Sequence, residues 1–167
     1  MGKDLGMLII MSGSPGTGKT TIARELARQL IAMHIRIDSI EYAIDVAGVA
    51  DDVGYRVAYA VAEDNLRLGR TVIADSVNPL PITRAAWRDV ATRSLVRAIE
   101  VEVVCSNIKA HKGRIETRSM DFPGWTVSWQ DVVDRDYHPW DRERIVVDTA
   151  RQSISESVEI VRSQLAI

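Results

Sequence analysis

The segment that decides the fold is Gly13-Ser14-Pro15-Gly16-Thr17-Gly18-Lys19-Thr20. It satisfies the pattern GxxxxGK(S/T), which is a phosphate-binding loop when it stands between a strand and a helix. The apolar run 8–11 before it is typical of a strand buried on both faces. Residues 18–32 after it have apolar side chains every four positions, as an amphipathic helix does. The context therefore favours a phosphate-binding loop over a chance glycine-rich turn.

The chemistry of this loop predicts its ligands. Glycines allow backbone N–H groups to turn toward phosphate oxygens, and the helix N-terminus adds unpaired donors and the positive end of its dipole. We expect Lys19 to contact the β- and γ-phosphates and the Thr20 hydroxyl to ligate magnesium. ATP and Mg²⁺ are the predicted cofactors. The residues predicted to bind them are Gly13, Ser14, Pro15, Gly16, Thr17, Gly18, Lys19, Thr20 and Thr21.

Composition sets the wider limits. The chain has 167 residues, of which 46% are hydrophobic and 26% charged, so one domain over 1–167 is expected. The formal net charge of −2 gives no basic excess for a long nucleic-acid footprint. The single cysteine, Cys105, forms no intrachain disulfide, which favours the cytoplasm. No segment predicts a membrane partner.

Apolar runs and helical periodicities alternate along the chain. This order is typical of an α/β three-layer fold with a parallel sheet and helices on both faces. Five strands are expected, at 8–11, 35–37, 71–74, 99–105 and 145–147, and helices at 18–32, 53–68, after Pro81 and at 154–165. The polar stretch 106–142 is predicted to form a helical lid.

The remainder of the chain narrows the class of phosphate-loop protein. A GTPase needs a guanine-selecting NKxD segment, which this sequence lacks, and its DxxG match at Asp45–Gly48 falls in a predicted helix or loop. A mechanical ATPase usually has two acidic residues after its second motif strand, whereas Ala74-Asp75-Ser76 has one. A compact kinase is the class that these features favour.

The pattern resembles the small P-loop kinases, a clan that includes polynucleotide 5′-hydroxyl kinase, gluconate and shikimate kinases and chloramphenicol phosphotransferase. Residues 35–40, Ile-Arg-Ile-Asp-Ser-Ile, resemble the strand end of the chloramphenicol enzyme. Residues 72–78 and Arg84-Ala85-Ala86-Trp87 look more like the polynucleotide kinase, and this resemblance implies that Arg84 contacts the substrate. The two likenesses imply different acceptors.

Two aspartates are candidates for the acceptor and metal chemistry. Asp38 is expected at the carboxyl end of a strand beside the loop, where ligands bind in open parallel sheets. It is the predicted catalytic base or orienting group for the acceptor hydroxyl, and the alternative is a helix cap. Asp75 follows another buried strand and is predicted to hold magnesium through water or to bond the substrate. Capping of the following turn is its alternative.

The lid carries the remaining candidates. His111, Arg114 and Arg118 fall at steps of three and four, so a helix would place them on one face. Lid arginines of the resembled family fall in this region, which implies that Arg114 and Arg118 close over the γ-phosphate as catalytic groups together with Lys19. A solvated helix face is the alternative, and it is the expected setting of His111. Resemblance alone implies that residues 148–151 form the adenine-side loop.

The predicted function is transfer of the ATP γ-phosphate to a hydroxyl of a small molecule. Polynucleotide 5′-hydroxyl kinase is the nearest alternative, since a short single-stranded 5′ end needs little basic surface. A nucleotide-binding regulatory ATPase without an acceptor is the alternative of another class. The sequence leaves the acceptor and the oligomeric state open.

Overall fold

Five parallel strands form one sheet in the order β2-β3-β1-β4-β5. They are β1 (Met7–Ser12), β2 (Met33–Arg36), β3 (Val72–Asp75), β4 (Arg97–Val104) and β5 (Ile145–Asp148). The structure is a computed structural model that describes residues 6–48, 53–119 and 121–165. The central strand, β1, pairs in parallel with β3 on one side and β4 on the other, and residues 8–11 are fully buried. The predicted buried first strand is therefore confirmed.

Helices cover both faces of the sheet. Within the described residues they are α1 (Lys19–Leu30), α2 (Ile37–Val46), α3 (Val53–Arg67), α4 (Pro81–Arg93), α5 (Ile108–Thr117), α6 (Trp129–Val133) and α7 (Ile154–Gln164). Buried residues of α1 and α7 share one core cluster with the sheet, and those of α3 and α4 share the other. The predicted α/β three-layer fold with a five-stranded parallel sheet is confirmed.

The second strand differs from its predicted position. The sequence predicted strand 35–37, but β2 ends at Arg36 and α2 begins at Ile37, which puts Asp38 in the first turn of a helix. Ile35 and Ile37 are both buried, one at the end of the strand and one at the start of the helix. A short alternation of apolar and polar residues is compatible with a strand and with a helix, because two or three residues cannot distinguish the strand period of 2 from the helix period of 3.6.

Residues 106–142 contain α5 and α6, joined by turns and irregular backbone. The segment after α6 packs near β4 through charged pairs: Arg142 contacts Glu100 at 3.4 Å and Arg144 contacts Glu102 at 2.8 Å. Both glutamates are nearly buried, so they need these arginines to offset the cost of desolvation. No helix among the described residues is long and apolar enough to cross a membrane.

Candidate active site

The phosphate loop joins β1 to α1 through three glycines with positive φ. These are Gly13 (+142°), Gly16 (+79°) and Gly18 (+96°). A Cβ atom on Gly13 would lie 2.2 Å from the backbone oxygen of Val103, and neither atom could move away cheaply. Gly18 is the N-cap of α1 and offers no side-chain cap, so the first N–H groups of α1 remain available to an anion.

Lys19 is held by a buried ion pair. Its Nζ lies 2.8 Å from Oδ1 of Asp75, and the His34 Nε2 donates to Oδ2 of the same carboxylate at 3.1 Å. Burial by itself would raise the pKa of the Asp75 carboxyl, but the Lys19 ammonium and the His34 hydrogen bond outweigh burial and hold that pKa well below its usual range. Asp75 is therefore a carboxylate, and it engages Lys19 in this structure.

The predicted magnesium ligands fit a hard cation. Thr20, in the first turn of α1, offers a hydroxyl, and the anionic Asp75 offers carboxylate oxygens. The described residues hold no group of three or more His, Cys, Asp or Glu side chains that could bind a metal without help. Such a site suits Mg²⁺, which keeps several waters and takes the remaining ligands from nucleotide phosphates.

One cavity of about 630 Å³ joins the loop to the start of α2. Its lining includes Asp38, the predicted acceptor group, and seven of the residues predicted to bind ATP. These seven are Ser14, Pro15, Gly16, Gly18, Lys19, Thr20 and Thr21. Arg114 and Arg118 also line it. The structure thus brings together five of the positions on which the sequence prediction depended, Lys19, Thr20, Asp38, Arg114 and Arg118, around a single space.

Asp38 reaches this cavity from α2. Its side chain is 39% exposed, and its Oδ2 accepts a 3.3 Å hydrogen bond from Arg36, the N-cap residue of α2. Arg36 is 8% exposed and was not among the predicted site residues. Its placement was hidden in the sequence because its second partner, Asp121, lies 85 positions along the chain.

Helix α5, in the predicted lid segment, is hydrogen-bonded to the phosphate loop. His111 Nε2 donates to the Pro15 carbonyl at 2.7 Å and is buried, so His111 does not lie on the solvated helix face that was expected for it. Arg114 donates to the Thr149 hydroxyl at 2.7 Å and to the Thr149 carbonyl at 2.9 Å. Thr149 in turn donates to the Thr17 carbonyl at 2.6 Å. Arg114 therefore links the lid, the loop after β5 and the phosphate loop.

Segment 121–125, in the predicted lid, contacts β2 and α2, the element that carries Asp38. Arg36 donates to Asp121 at 2.6 Å, and Phe122 stacks on Tyr42 of α2 with ring centroids 4.8 Å apart. Trp125 donates to Asp45 at 3.3 Å. Phe122 and Trp125 also line the cavity. These contacts join segment 121–125 to β2 and α2.

Arg84, a predicted substrate residue, is engaged with the protein itself. It is 2% exposed and donates to four backbone carbonyls, those of Asn78, Pro79, His138 and Pro139, at 2.8 to 3.2 Å. Its guanidinium carbon lies 4.1 Å from the centroid of the Trp140 ring. These contacts hold segment 138–139 against α4, and the contact of Arg84 with a substrate stays a prediction.

The fold and the site together define a class. A glycine-rich loop, a lysine at the N-terminus of α1 and the strand order β2-β3-β1-β4-β5 are those of a P-loop nucleotide-binding protein with kinase-like architecture. The chain belongs to the AAA domain family, whose model matches residues 8–122. The resemblance to small P-loop kinases is thereby confirmed at the level of family and fold.

Solved structures share this fold over nearly the whole chain. A putative kinase from Chloroflexus aurantiacus has a TM-score of 0.73 at 23% identity, with 98% of each chain covered. The APS kinase of Mycobacterium tuberculosis in complex with AMPPNP and APS has a TM-score of 0.72 at 18% identity, covering 97% of this chain and 98% of that one. A gluconokinase from Sinorhizobium meliloti has a TM-score of 0.66 at 16% identity, covering 99% and 94%. A comparison with curated protein sequences found no match.

Proposed function

We propose that this protein transfers the γ-phosphate of MgATP to a hydroxyl group of a small molecule. The observation that carries the proposal is the shared cavity, which is lined by the phosphate loop and Lys19 on one side and by Asp38 on the other. Bringing donor and acceptor into one enclosed space supplies much of the rate enhancement in phosphoryl transfer, because there is little covalent chemistry for the protein to perform.

The donor half would be the loop, Lys19 and Thr20. Loop amides and Lys19 would bind the phosphates, and Lys19 would leave Asp75 for them. Thr20 and Asp75 would hold the magnesium ion, which supplies charge neutralisation between the phosphates when it is bound. His34 would remain hydrogen-bonded to Asp75 after Lys19 departs.

The acceptor half would begin at Asp38. In the transfer step, a bond forms between the acceptor oxygen and the γ-phosphorus, and the bond from that phosphorus to the β–γ bridging oxygen breaks. ADP leaves, and the hydroxyl proton passes to Asp38 and then to solvent. The hydrogen bond from Arg36 would orient the carboxylate for this role.

The lid would complete the site. We propose that residues 106–142 act as this lid within a single domain, and that Arg114 and Arg118 stabilise the charge on the moving phosphoryl group. Both arginines line the cavity, and Arg114 is already anchored to the phosphate loop through Thr149. Exclusion of water by the lid would suppress simple hydrolysis of ATP.

The names of the structural neighbours agree with a small-molecule acceptor. One is described as an APS kinase in complex with AMPPNP and APS, and another as a gluconokinase. A polynucleotide 5′-hydroxyl kinase remains the second candidate enzyme, supported by the sequence likeness at 72–78. A regulatory ATPase without an acceptor would need no acidic group facing the phosphates across the cavity.

The test is acceptor-dependent turnover of ATP by the purified protein. We expect ADP release to rise above background with at least one member of a panel of sugars, nucleosides, antibiotics and 5′-hydroxyl oligonucleotides. Asp38→Asn should remove that increase, by a factor of about 10² or more, and keep MgATP affinity. Turnover that stays at one slow background across the panel would contradict the kinase, and Lys19→Met binding ATP at full affinity would contradict the nucleotide site.

A further inference from the structure

Glu41 is a second carboxylate on the acceptor side of the cavity. It follows Asp38 by three positions on α2, so both side chains lie on one face of the helix, and both line the cavity. Burial, and then the negative charge of Asp38, raise the pKa of the Glu41 carboxyl, while Arg135 opposes them. The two carboxylates therefore share one electrostatic environment.

The position of Glu41 depends on a glycine in the neighbouring helix. Gly54 lies in the first turn of α3 and is buried. A Cβ atom there would come within 2.6 Å of the Cγ atom of Glu41 and 3.5 Å of its Oε1. Glu41 therefore occupies its place in the cavity wall because residue 54 has no side chain.

The acceptor side carries charges of both signs. Asp38, Glu41 and Asp121 line the cavity, and so do four arginines, Arg24, Arg36, Arg118 and Arg135. Arg36 contacts Asp38 at 3.3 Å and Asp121 at 2.6 Å, and the charges of Arg24 and Arg118 also act on Asp121. A strongly anionic acceptor would meet three carboxylates, and a cationic one would meet four guanidinium groups.

Arg36 places a buried hydrogen-bond donor in the wall of the cavity. It lines the same cavity and is more than nine-tenths buried, and its Nε has no hydrogen-bond partner among the residues that the structure describes. A buried donor without a partner costs free energy, which an oxygen from a ligand would recover once the arginine adjusts to it. A hydroxyl oxygen can accept this bond while its own proton is donated to a carboxylate.

The wall contributed by the lid is aromatic. Phe122 and Trp125 line the cavity, and their rings lie edge to face with centroids 5.7 Å apart. Aromatic rings offer large apolar contact areas, which suit the C–H faces of a compact ring or carbon chain. The acceptor side thus combines apolar surface with groups that accept and donate hydrogen bonds.

We propose that Glu41 and Asp38 bind neighbouring hydroxyl groups of an uncharged, polyhydroxylated acceptor, with Asp38 on the reacting hydroxyl and Glu41 on the adjacent one. This inference rests on the proposed phosphotransfer. Glu41 is then the residue that selects for a polyol. An analogue that lacks the second hydroxyl is rejected because it leaves the half-buried carboxylate of Glu41 without that hydrogen bond.

The first experiment compares probes of one carbon skeleton and different charge. D-Glucose, D-gluconate and D-glucosamine are titrated into the protein with AMPPNP and Mg²⁺, alongside the neutral polyols ribose and myo-inositol. Binding is followed by thermal denaturation and by tryptophan fluorescence, and ADP release is measured with ATP. We expect the neutral polyols to bind and the charged probes to bind at least 10-fold more weakly than glucose.

The second experiment changes Glu41 directly by substitution and indirectly through its neighbour Gly54. Glu41→Gln should weaken polyol binding by about 10-fold or more, since a hydrogen bond to a charged group is lost. Gly54→Ala should weaken it too by displacing Glu41, although alanine favours a helix. MgATP affinity should stay unchanged in both. The matched controls are Glu159→Gln on α7 and Gly113→Ala on α5, where an added Cβ meets nothing within 4 Å; both should bind polyols as the native protein does.

The outcomes separate this inference from the proposed function. Turnover with a charged acceptor alone, or no binding of any neutral polyol, overturns the inference and leaves phosphotransfer standing if another acceptor is turned over. Polyol binding that Glu41→Gln and Gly54→Ala do not affect also overturns it. Polyol binding that both variants weaken, without any turnover, supports the pocket assignment and counts against phosphotransfer.

Discussion

At the scale of single residues, the buried pair of Lys19 and Asp75 joins the phosphate loop to β3. The side chains are 9% and 0% exposed, so each charge depends on the other. Loss of one partner from a buried pair typically costs about 3–5 kcal/mol, because the remaining charge is left unpaired. The pair therefore stabilises the fold and keeps Lys19 in place for phosphates.

We predict that Asp75→Asn lowers the free energy of unfolding by about 3 kcal/mol or more at pH 7. Urea denaturation measures this change. The exposed Asp64 of α3 provides a control, since Asp64→Asn removes a carboxylate without removing a buried pair. Equal stability of Asp75→Asn and the native protein would contradict the energetic role of the pair.

The same carboxylate predicts how stability depends on pH. The pKa of Asp75 is lower in the folded protein than in the unfolded chain, so its contribution is fully present above the unfolded pKa of about 4. It is lost as the pH falls from about 5 toward the folded pKa. The native protein should lose stability more steeply than Asp75→Asn in this range, as urea denaturation at several pH values would measure. Parallel curves would contradict the assignment.

Arg84 illustrates how one residue type serves different purposes. Its donors hold the backbone of segment 138–139, and its plane packs on Trp140. Arg84→Lys keeps the charge but loses the planar set of donors, so we expect the free energy of unfolding to fall by about 2 kcal/mol or more. Thermal denaturation and ATP titration check this together. If Arg84→Lys kept the native stability but lowered acceptor-dependent turnover, the result would support the predicted contact of Arg84 with a substrate.

At the scale of elements, α5 is a helix of the proposed lid whose start is defined by a side chain. Asn107 Oδ1 accepts a 3.0 Å hydrogen bond from the backbone N–H of Ala110, and α5 buries only His111 and Ile115. By contrast, α7 is capped by Ser153 and buries Ser157, Val158 and Val161. The two helices have similar caps but differ in how firmly packing holds them.

We predict that Asn107→Ala lowers the stability of α5 by about 1 kcal/mol, because an N-cap acceptor is lost. The loss should be local, with about fivefold faster hydrogen exchange of α5 amides and little change elsewhere. Ser153→Ala is the control and should lower global stability instead, since α7 packs in the core. Unchanged exchange in α5 would show that contacts of His111 and Arg114 define the helix without the cap.

At the scale of the whole molecule, the candidate site lies where three parts of the fold meet. These are the carboxyl ends of β1 and β3, the start of α2 and the segment proposed as a lid. Ligands that bind there contact the folded state and not the unfolded chain. MgATP at 100 times its Kd should therefore stabilise the protein by about 2.7 kcal/mol. For a chain of this length that corresponds to a rise in Tm of about 5–10 °C.

Thermal denaturation with and without MgATP measures this shift. Lys19→Met is the comparison, because it should lower Tm by leaving Asp75 unpaired and should also lose most of the ligand-induced rise. The difference between the two conditions is the quantity to compare, since absolute Tm values differ between the variants. A full rise in Lys19→Met would contradict the placement of the phosphates.

Much of the molecule was predictable from local sequence. The phosphate loop is contiguous, and its glycines specify backbone conformations that few other residues adopt, so its role needed no tertiary information. Alternating apolar runs and helical periodicities were sufficient for the parallel sheet, since each pattern reports which faces an element buries. The short β2 was misplaced, and α2 directly after it was not predicted, because the apolar pattern there was too brief to separate strand from helix.

Tertiary structure decided which distant residues meet. Asp121 approaches Arg36 across 85 positions of sequence, and Lys19 approaches Asp75 across 56. Glu41 owes its position to Gly54 on another helix. Such contacts follow from how helices and loops pack on the sheet, and no local pattern records them. The sequence by itself therefore determined the phosphate loop and the fold class, whereas packing decided which residues line the cavity beside Asp38 and which backbone groups Arg84 contacts.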